Sequence, residues 1–477
     1  MEILKEGRIQ AYFGGGSTFQ SHPNHGLGPK NVNIFSPCAN FVLDAGGEFI
    51  PWTEDTPKWM KEAYRHMTVG PDLALMPELL NGQKIDFIWA SHSHADHVMA
   101  IPKLMRYFKR NGKIYGSPHT MEIMRKVFMD TLNFSPYLYK DDDGIFGVID
   151  CLAKREALEL GAKELLPGLI WHTRIGGHIP GATYAIAEFK NLGINLLDTG
   201  DTASFSMPLV PGSSLIDDIR LGRVPCPNII VGTDFTNPSR EEFRWEPVGE
   251  ELIRKVNLYL NEGKTVVIGA FENSRTQNIA ETLRQAGIKV YIDGGGREIY
   301  QIYYENAKWC PDYPEVILDG IEMVASVQHR QKLLEDGEPK VIITTAGMFD
   351  GGPMEGYLEY GLSNPKFVFI ATSYVSPRSK AALLLEAVKE ENPEIELEDG
   401  RIIKIKAKVE RIGFTAHGNV RDFEQLVKTI YETNGGRRIK SYLVHGMLKT
   451  KQMVAELVKE CTDCVFVEHG QVYDLTI

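Results

Sequence analysis

His92, His94, Asp96 and His97 stand as His-X-His-X-Asp-His within SHSHADH, directly after the β-rich run KIDFIWA. Four potential metal ligands thus share one tight loop whose base the preceding strand fixes. Imidazole nitrogens and carboxylate oxygens suit zinc, with manganese or iron as alternatives. A dinuclear centre needs more ligands than one loop supplies. His178 in GGHIPGA and Asp201 in LLDTGD both follow predicted strands on glycine-containing turns, where a side chain can be aimed at a site.

The elements that must position these residues can be read from apolar periodicity. VMAIPKLMRYF resumes with helical spacing after the loop, and KIYGSP followed by HTMEIMRKVFMDTL repeats the strand-to-helix step. YKDDDG reads as an exposed acidic loop. LIWHTRI, ATYAIAEF, INLLDTGD and PNIIVGTDF read as strands. From about 245 to 410 the order is helix, strand, helix, strand, helix, then the strands KVIITTAG and KFVFIATSY, which is the alternation of a parallel sheet covered by helices. The fold class is α/β, with two units.

The 477 residues, 43% hydrophobic and 24% charged, exclude disorder, collagen-like repeats and coiled coil. A formal net charge of -11 gives no overall attraction for a polyanion or an anionic membrane, so any nucleic-acid contact must be local. RIIKIKAKVER, GGRRIK and PRSK are candidate local basic patches. No apolar run is long enough to span a bilayer and the first residues lack a secretory apolar core, so a cytoplasmic protein is expected. The six cysteines do not form a disulfide framework, and Cys461 and Cys464 make a single CxxC without a second pair. DGGGREIY lacks the full dinucleotide-loop spacing and reads as a tight turn.

With Asp44 ending the strand NFVLDAGG, the set of Asp, His-X-His-X-Asp-His, distant His178 and Asp201 resembles the metallo-β-lactamase superfamily. VGTDFTN at 231–237, GMFDGGP at 347–353, IGFTAHGN at 412–419 and LVHG at 443–446 further resemble the β-CASP nucleases. The likeness is to the RNA-directed type, such as the nuclease subunit of the cleavage and polyadenylation machinery and RNase J, because the residue at 445 is His. It implies an αββα sandwich built from 1–237 and 412–477 and interrupted by an inserted β-CASP domain at 238–411. A cleft between the two would hold substrate.

The same resemblance implies that His92, His94 and His178 hold one metal, that Asp96, His97 and His445 hold the other, and that Asp201 bridges two Zn2+ ions. Asp44 would orient ligands from behind. The implied activity is hydrolysis of phosphodiester bonds in single-stranded RNA, as an endonuclease, a 5′-3′ exonuclease or both, by a metal-activated hydroxide. Asp96 and the pair Asp234 and His417 are the catalytic candidates, His417 as proton donor to the leaving oxygen. RNA is the expected partner, no membrane is, and a homodimer is a further possibility. Two alternatives stand beside this reading: a dinuclear hydrolase of a small phosphate or carboxyl ester, and an RNA-binding scaffold that does not cleave.

The chain departs from the family pattern at Asn419 and Met447, where an acid is usual, which would weaken the support of the metal ligands. The stretch 374–383 reads YVSPRSKAAL in place of a Gly-Thr-X-Gly-Arg motif, which bears on docking of an RNA backbone. The long loop GGGSTFQSHPNHGLGPKN brings His22 and His25 as candidates for substrate contact, whereas His119 and His172 read as structural and His66, His329 and His469 as surface or core residues.

Overall fold

The structure is a computed structural model describing residues 8–15, 30–50, 67–134, 139, 142–234, 236–237, 239, 245–377, 379–396, 400–446, 448–468 and 470–475. His22, His25, His66, Arg378, Met447 and His469 lie outside the described residues. The chain forms two compact units, one of Met1–Phe205, Gly212–Phe243 and His417–Ile477, the other of Ser206–Pro211 and Arg244–Ala416. These boundaries lie a few residues beyond 237/238 and 411/412, and the short segment 206–211 joins the second unit.

The first unit contains two seven-stranded sheets among the described residues. One runs Val472–Asp474, Gln10–Phe13, Asn31–Phe35, Asn40–Ala45, Ile85–Trp89, Phe108–Gly116 and Arg155–Ala157. The other runs Thr462–Phe466, Ile439–Leu443, Ile229–Gly232, Ile194–Asp198, Thr183–Phe189, Leu169–Ile175 and Gly161–Leu166. Alternate residues of both sheets, among them Phe41, Trp89, Trp171, Phe189 and Val231, pack into one core between them. Opposite faces carry helices: Ile88 and Ile114 pack with Ile101, Met124 and Phe128, and Ile186 and Leu443 pack with Phe423, Val427 and Val454. Each sheet is therefore buried on both sides, and the layers follow the order helix, sheet, sheet, helix.

In each sheet the strands nearest the candidate ligands run parallel: Asn40–Ala45 with Ile85–Trp89, and Ile194–Asp198 with Ile229–Gly232 and Ile439–Leu443. Residues following the carboxyl ends of parallel strands emerge at one edge, so Asp44, the His92–His97 loop, Asp201, Asp234 and His445 come together although 401 positions separate the first and last (445 minus 44).

Two local expectations are corrected. Residues 98–107 do not form one helix: Ala95–Val98 and Ile101–Leu104 are separate short helices, followed by a tighter turn at Met105–Tyr107. Pro102, which has no N–H to donate, fits the first turn of the second of these and would disrupt a longer one. The acidic run is not a loop throughout, since a helix begins at Asp142 and continues to Lys154.

The second unit has a six-stranded, all-parallel sheet in the order Ile321–Met323, Val290–Asp293, Val341–Thr345, Thr265–Ala270, Phe367–Ala371 and Lys408–Arg411. Helices Trp245–Asn261, Arg275–Gln285, Gly296–Asn306 and Pro353–Gly361 alternate with these strands, and Val267, Ile342 and Phe369 are covered by Met354, Tyr357 and Leu358. DGGGREIY is the turn expected, with Gly294 at φ 86 before the helix at Gly296. Within 374–383, Ser379 caps Lys380–Ala387 by accepting from the N–H of Ala382. RIIKIKAKVER divides between a hairpin of Glu394–Glu396 with Ile402–Lys404 and the edge strand Lys408–Arg411.

His172 is structural, paired with Glu188 at 2.8 Å across adjacent strands. His119 is buried in the first turn of Pro118–Phe134, and burial lowers its imidazole from 6.5 to about 4. Between those values the unfolded chain takes up a proton that the folded chain refuses, so stability falls as pH drops through that window, by up to about 3 kcal/mol. His119→Gln should flatten this share of the slope, as urea titrations of metal-stripped protein between about pH 7 and 4.5 would show.

Candidate metal centre

Asp44 sits at φ 56, a left-handed conformation that few residues other than glycine adopt, and it is fully buried. Its Oδ1 accepts from the N–H of Ser91 at 2.7 Å, and its Oδ2 accepts from Ser91 Oγ and His97 Nδ1, both at 2.8 Å. Ser91 Oγ also lies 3.1 Å from His92 Nδ1. With the Nδ1 atoms of His92 and His97 engaged from behind, their Nε2 atoms are the ones turned to a metal. Burial would raise the Asp44 carboxyl, but Lys30 and His97 outweigh it and hold it at about 2.

Two ligand sets converge on Asp201. The first is His92, His94, His178 and Asp201, and the second is Asp96, His97, His445 and Asp201. Within the first, His94 Nδ1 is 3.1 Å from His92 Nε2 and 3.0 Å from His178 Nε2. Tetrahedral ligands at zinc–nitrogen distances of about 2.0–2.1 Å are about 3.3 Å apart, so both of these spacings are close to that between neighbouring corners of one coordination shell. Asp201 faces both sets with different oxygens. Oδ2 is 3.9 and 3.8 Å from the Nε2 atoms of His92 and His178, and Oδ1 is 3.2 and 3.5 Å from those of His97 and His445. His445 Nε2 is also 3.6 Å from Asp96 Oδ2.

The chemistry of these donors fits two divalent cations. His97 Nε2 and Asp201 Oδ1 are buried and face each other at 3.2 Å as an ion pair, so a cation bound there would meet both atoms and replace the proton between them. The protonation pattern agrees. His92 is pushed well down, by burial and then by His97, whereas His97 is held well up against burial by Asp201 and Asp44. A bound cation would take over the countercharge that a proton on His97 otherwise supplies.

Asp234 and His417 meet beside this centre. His417 Nδ1 donates to Asp234 Oδ2 at 2.7 Å and lies 3.7 Å from Asp201 Oδ2. Asp234 Oδ1 accepts from the N–H and Oγ of Thr236. Burial lowers the imidazole, but Asp234 and then Asp201 hold it up to about 9. Asn419 follows as the N-cap of Val420–Thr433, with a reciprocal bond from its N–H to Asp422 Oδ2 at 2.6 Å. Asn caps a helix as well as Asp does, so Asn419 serves as the start of this helix where the family usually has an acid.

The sequence reading missed Ser91, Lys30 and Asp198. Ser91 opens the histidine loop and could have been flagged by position. A lysine entering the wholly buried strand Asn31–Phe35 was the available signal for Lys30.

Gly46 fixes the distance between Asp44 and the histidine loop. A Cβ there would stand 1.6 Å from the Asp96 carbonyl oxygen and 2.7 Å from the His97 nitrogen. Gly46→Ala should therefore destabilise the fold by about 1–3 kcal/mol in urea unfolding. It should also weaken any metal binding at the candidate set containing Asp96 and His97, readable as metal content per chain.

Residues 271–384 match the Beta-Casp domain family. The chain carries a Beta-Casp domain. Its architecture is thus a metallo-β-lactamase sandwich interrupted by a Beta-Casp domain. Relatives over most of the length include the RNase J-like protein of Methanocaldococcus jannaschii, 26% identical over 390 residues, covering 79% of this chain and 85% of that one. RNase aCSPSF2 of Saccharolobus solfataricus is 26% identical, covering 81% of this chain and 75% of the relative. Transcription termination factor FttA of Thermococcus kodakarensis is 25% identical, covering 72% of this chain and 55% of the relative. A crystal structure of a protein of unknown function from Enterococcus faecalis V583 shares the fold, with a TM-score of 0.59 at 13% identity over 98% of this chain and all of that one. Among the described residues, no helix is long and apolar enough to cross a membrane.

Proposed function

We propose that the protein is a metal-dependent ribonuclease that hydrolyses phosphodiester bonds of single-stranded RNA, with two zinc ions as its cofactor. The observation that carries the reading is Asp201, whose two oxygens face two complete ligand sets. Relatives named as ribonucleases supply the substrate class. His92, His94 and His178 hold one ion, Asp96, His97 and His445 the other, and Asp201 both. When bound, two divalent cations make water acidic enough to attack near neutral pH and neutralise charge on the phosphoryl oxygens.

The chain's own groups supply the rest. Asp44 and Ser91 keep the His92 and His97 rings turned so that Nε2 faces the centre. Asp234 occupies His417 Nδ1 and favours the imidazolium, so Nε2 is the nitrogen that delivers a proton to the departing ribose oxygen. Asp234 and His417 are therefore the acid pair, and Asp96 acts as a ligand of the second set.

The test is cleavage of a 5′-labelled single-stranded RNA by zinc-loaded protein, beside an Asp96→Ala/His97→Ala variant and a matched DNA strand. Cleavage of RNA by the intact protein alone is expected, with internal fragments denoting an endonuclease and released mononucleotides an exonuclease. If zinc binds yet RNA stays intact with both proteins, the RNA assignment falls and small phosphate or carboxyl esters become the substrates to assay.

A further inference from the structure

Lys30 is 1% exposed, and its ammonium lies between two carboxylates, 2.5 Å from Asp198 Oδ1 and 3.1 Å from Asp44 Oδ2. Burying a lysine is costly unless it is paired, so the pair has to be accounted for. Burial opposes the charge, the two aspartates more than restore it, and Lys30 is an ammonium. Room is made for the contact by Gly232, where a Cβ would fall 1.8 Å from Asp198 Oδ1 and 3.0 Å from Lys30 Nζ.

Each bond of Lys30 ends one step from a proposed ligand. Asp44 Oδ2 is the oxygen that accepts from His97 Nδ1. Asp198 Oδ1 also accepts from the N–H of Gly200, the residue before Asp201, at 3.0 Å. The main chain joins in: the Lys30 N–H donates to the Asp96 carbonyl at 2.8 Å, and the Lys30 carbonyl accepts from Gly46 at 2.9 Å. Asp44, Asp96 and His97 belong to one sheet and its loops, Asp198 and Asp201 to the other. A single residue therefore spans the two sheets immediately behind the second ligand set.

We propose that Lys30 is a positioning residue of the metal centre, which through Asp44 and Asp198 holds His97 and Asp201 in register with Asp96. This rests on the dinuclear reading given above.

Charge and position make opposite predictions, which renders the idea testable. Removing an ammonium near a cation site would by charge alone tighten metal binding, whereas loss of register would loosen it. The experiment is titration of metal-stripped protein with Co2+, following absorption and calorimetry, for the intact chain, Lys30→Met and Lys30→Met/Asp198→Asn. The double variant removes one charge of each sign and should fold even where the single one does not.

The intact chain is expected to bind two ions. Both variants should bind at least one of the two ions about tenfold or more weakly, with an altered spectrum for that step. Two ions bound by the double variant as in the intact chain, with only the stability of Lys30→Met reduced, would leave Lys30 a structural tie and overturn the proposal. Tighter binding by Lys30→Met would overturn it too. If the intact chain itself binds no metal, the dinuclear reading fails instead, and the two failures are distinct.

Discussion

Asp201→Ala is expected to lower RNA cleavage by more than about a hundredfold, beyond the 10–100-fold that loss of a ligand's outer partner costs, and to reduce metal content below two ions per chain. The reason lies in the two faces of one carboxylate. Oδ2 completes the set of His92, His94 and His178, and Oδ1 the set of Asp96, His97 and His445, so truncation damages both at once. A ligand serving one set only, such as His178, should cost the protein one ion while the other is retained. Metal analysis after gel filtration, paired with kcat/KM on labelled RNA, separates these outcomes. Equal metal content in Asp201→Ala and the intact chain would sink the bridging role whatever happens to turnover. Asp201→Asn is an informative companion, because it keeps the shape and one oxygen but removes the charge that helps hold His97 as an imidazolium in the absence of metal.

The residues that come together as candidate ligands were legible in the sequence because each stands at or just past the end of a strand whose apolar pattern is strong. INLLD, IIVG and IDFIW carry buried residues at nearly every position, so the turns after them, with Asp201, Asp234 and the histidine loop, could be located without a structure. Short edge strands such as Arg155–Ala157 and Gly161–Leu166 were missed, since three to six residues with exposed positions leave no clear period. The network behind the ligands was illegible for a different reason. Lys30 and Asp198 are 168 positions apart, and no local pattern announces a bond across two sheets. Asn419 shows the converse. Asn419 followed three residues later by Asp422 is a helix-start signature that could have been read directly.

His417→Ala is expected to slow RNA cleavage by about 10²–10⁴-fold, the range typical of a lost proton donor, with two metals still bound. Two roles for the Asp234 and His417 pair compete. Either His417 supplies the proton that the departing ribose oxygen needs, or the pair merely ties the turn at Gly418 to the loop of Thr202 and Asp234, which the bond from Gly418 N–H to the Thr202 carbonyl already does at 2.6 Å. Changing the leaving group distinguishes them. A 4-nitrophenyl phosphodiester releases a stable anion that requires no proton, so a true donor becomes dispensable and His417→Ala should cleave it nearly as well as the intact protein. A structural tie would slow both substrates alike, because misplaced ligands hinder attack on any phosphorus. Asp234→Asn sharpens the comparison. The amide can still accept from His417 Nδ1 but no longer favours the imidazolium, so its loss should fall between those of the intact chain and His417→Ala on RNA and be small on the activated ester. A uniform loss across both substrates in both variants would assign the pair to architecture and leave the leaving oxygen to be protonated by water.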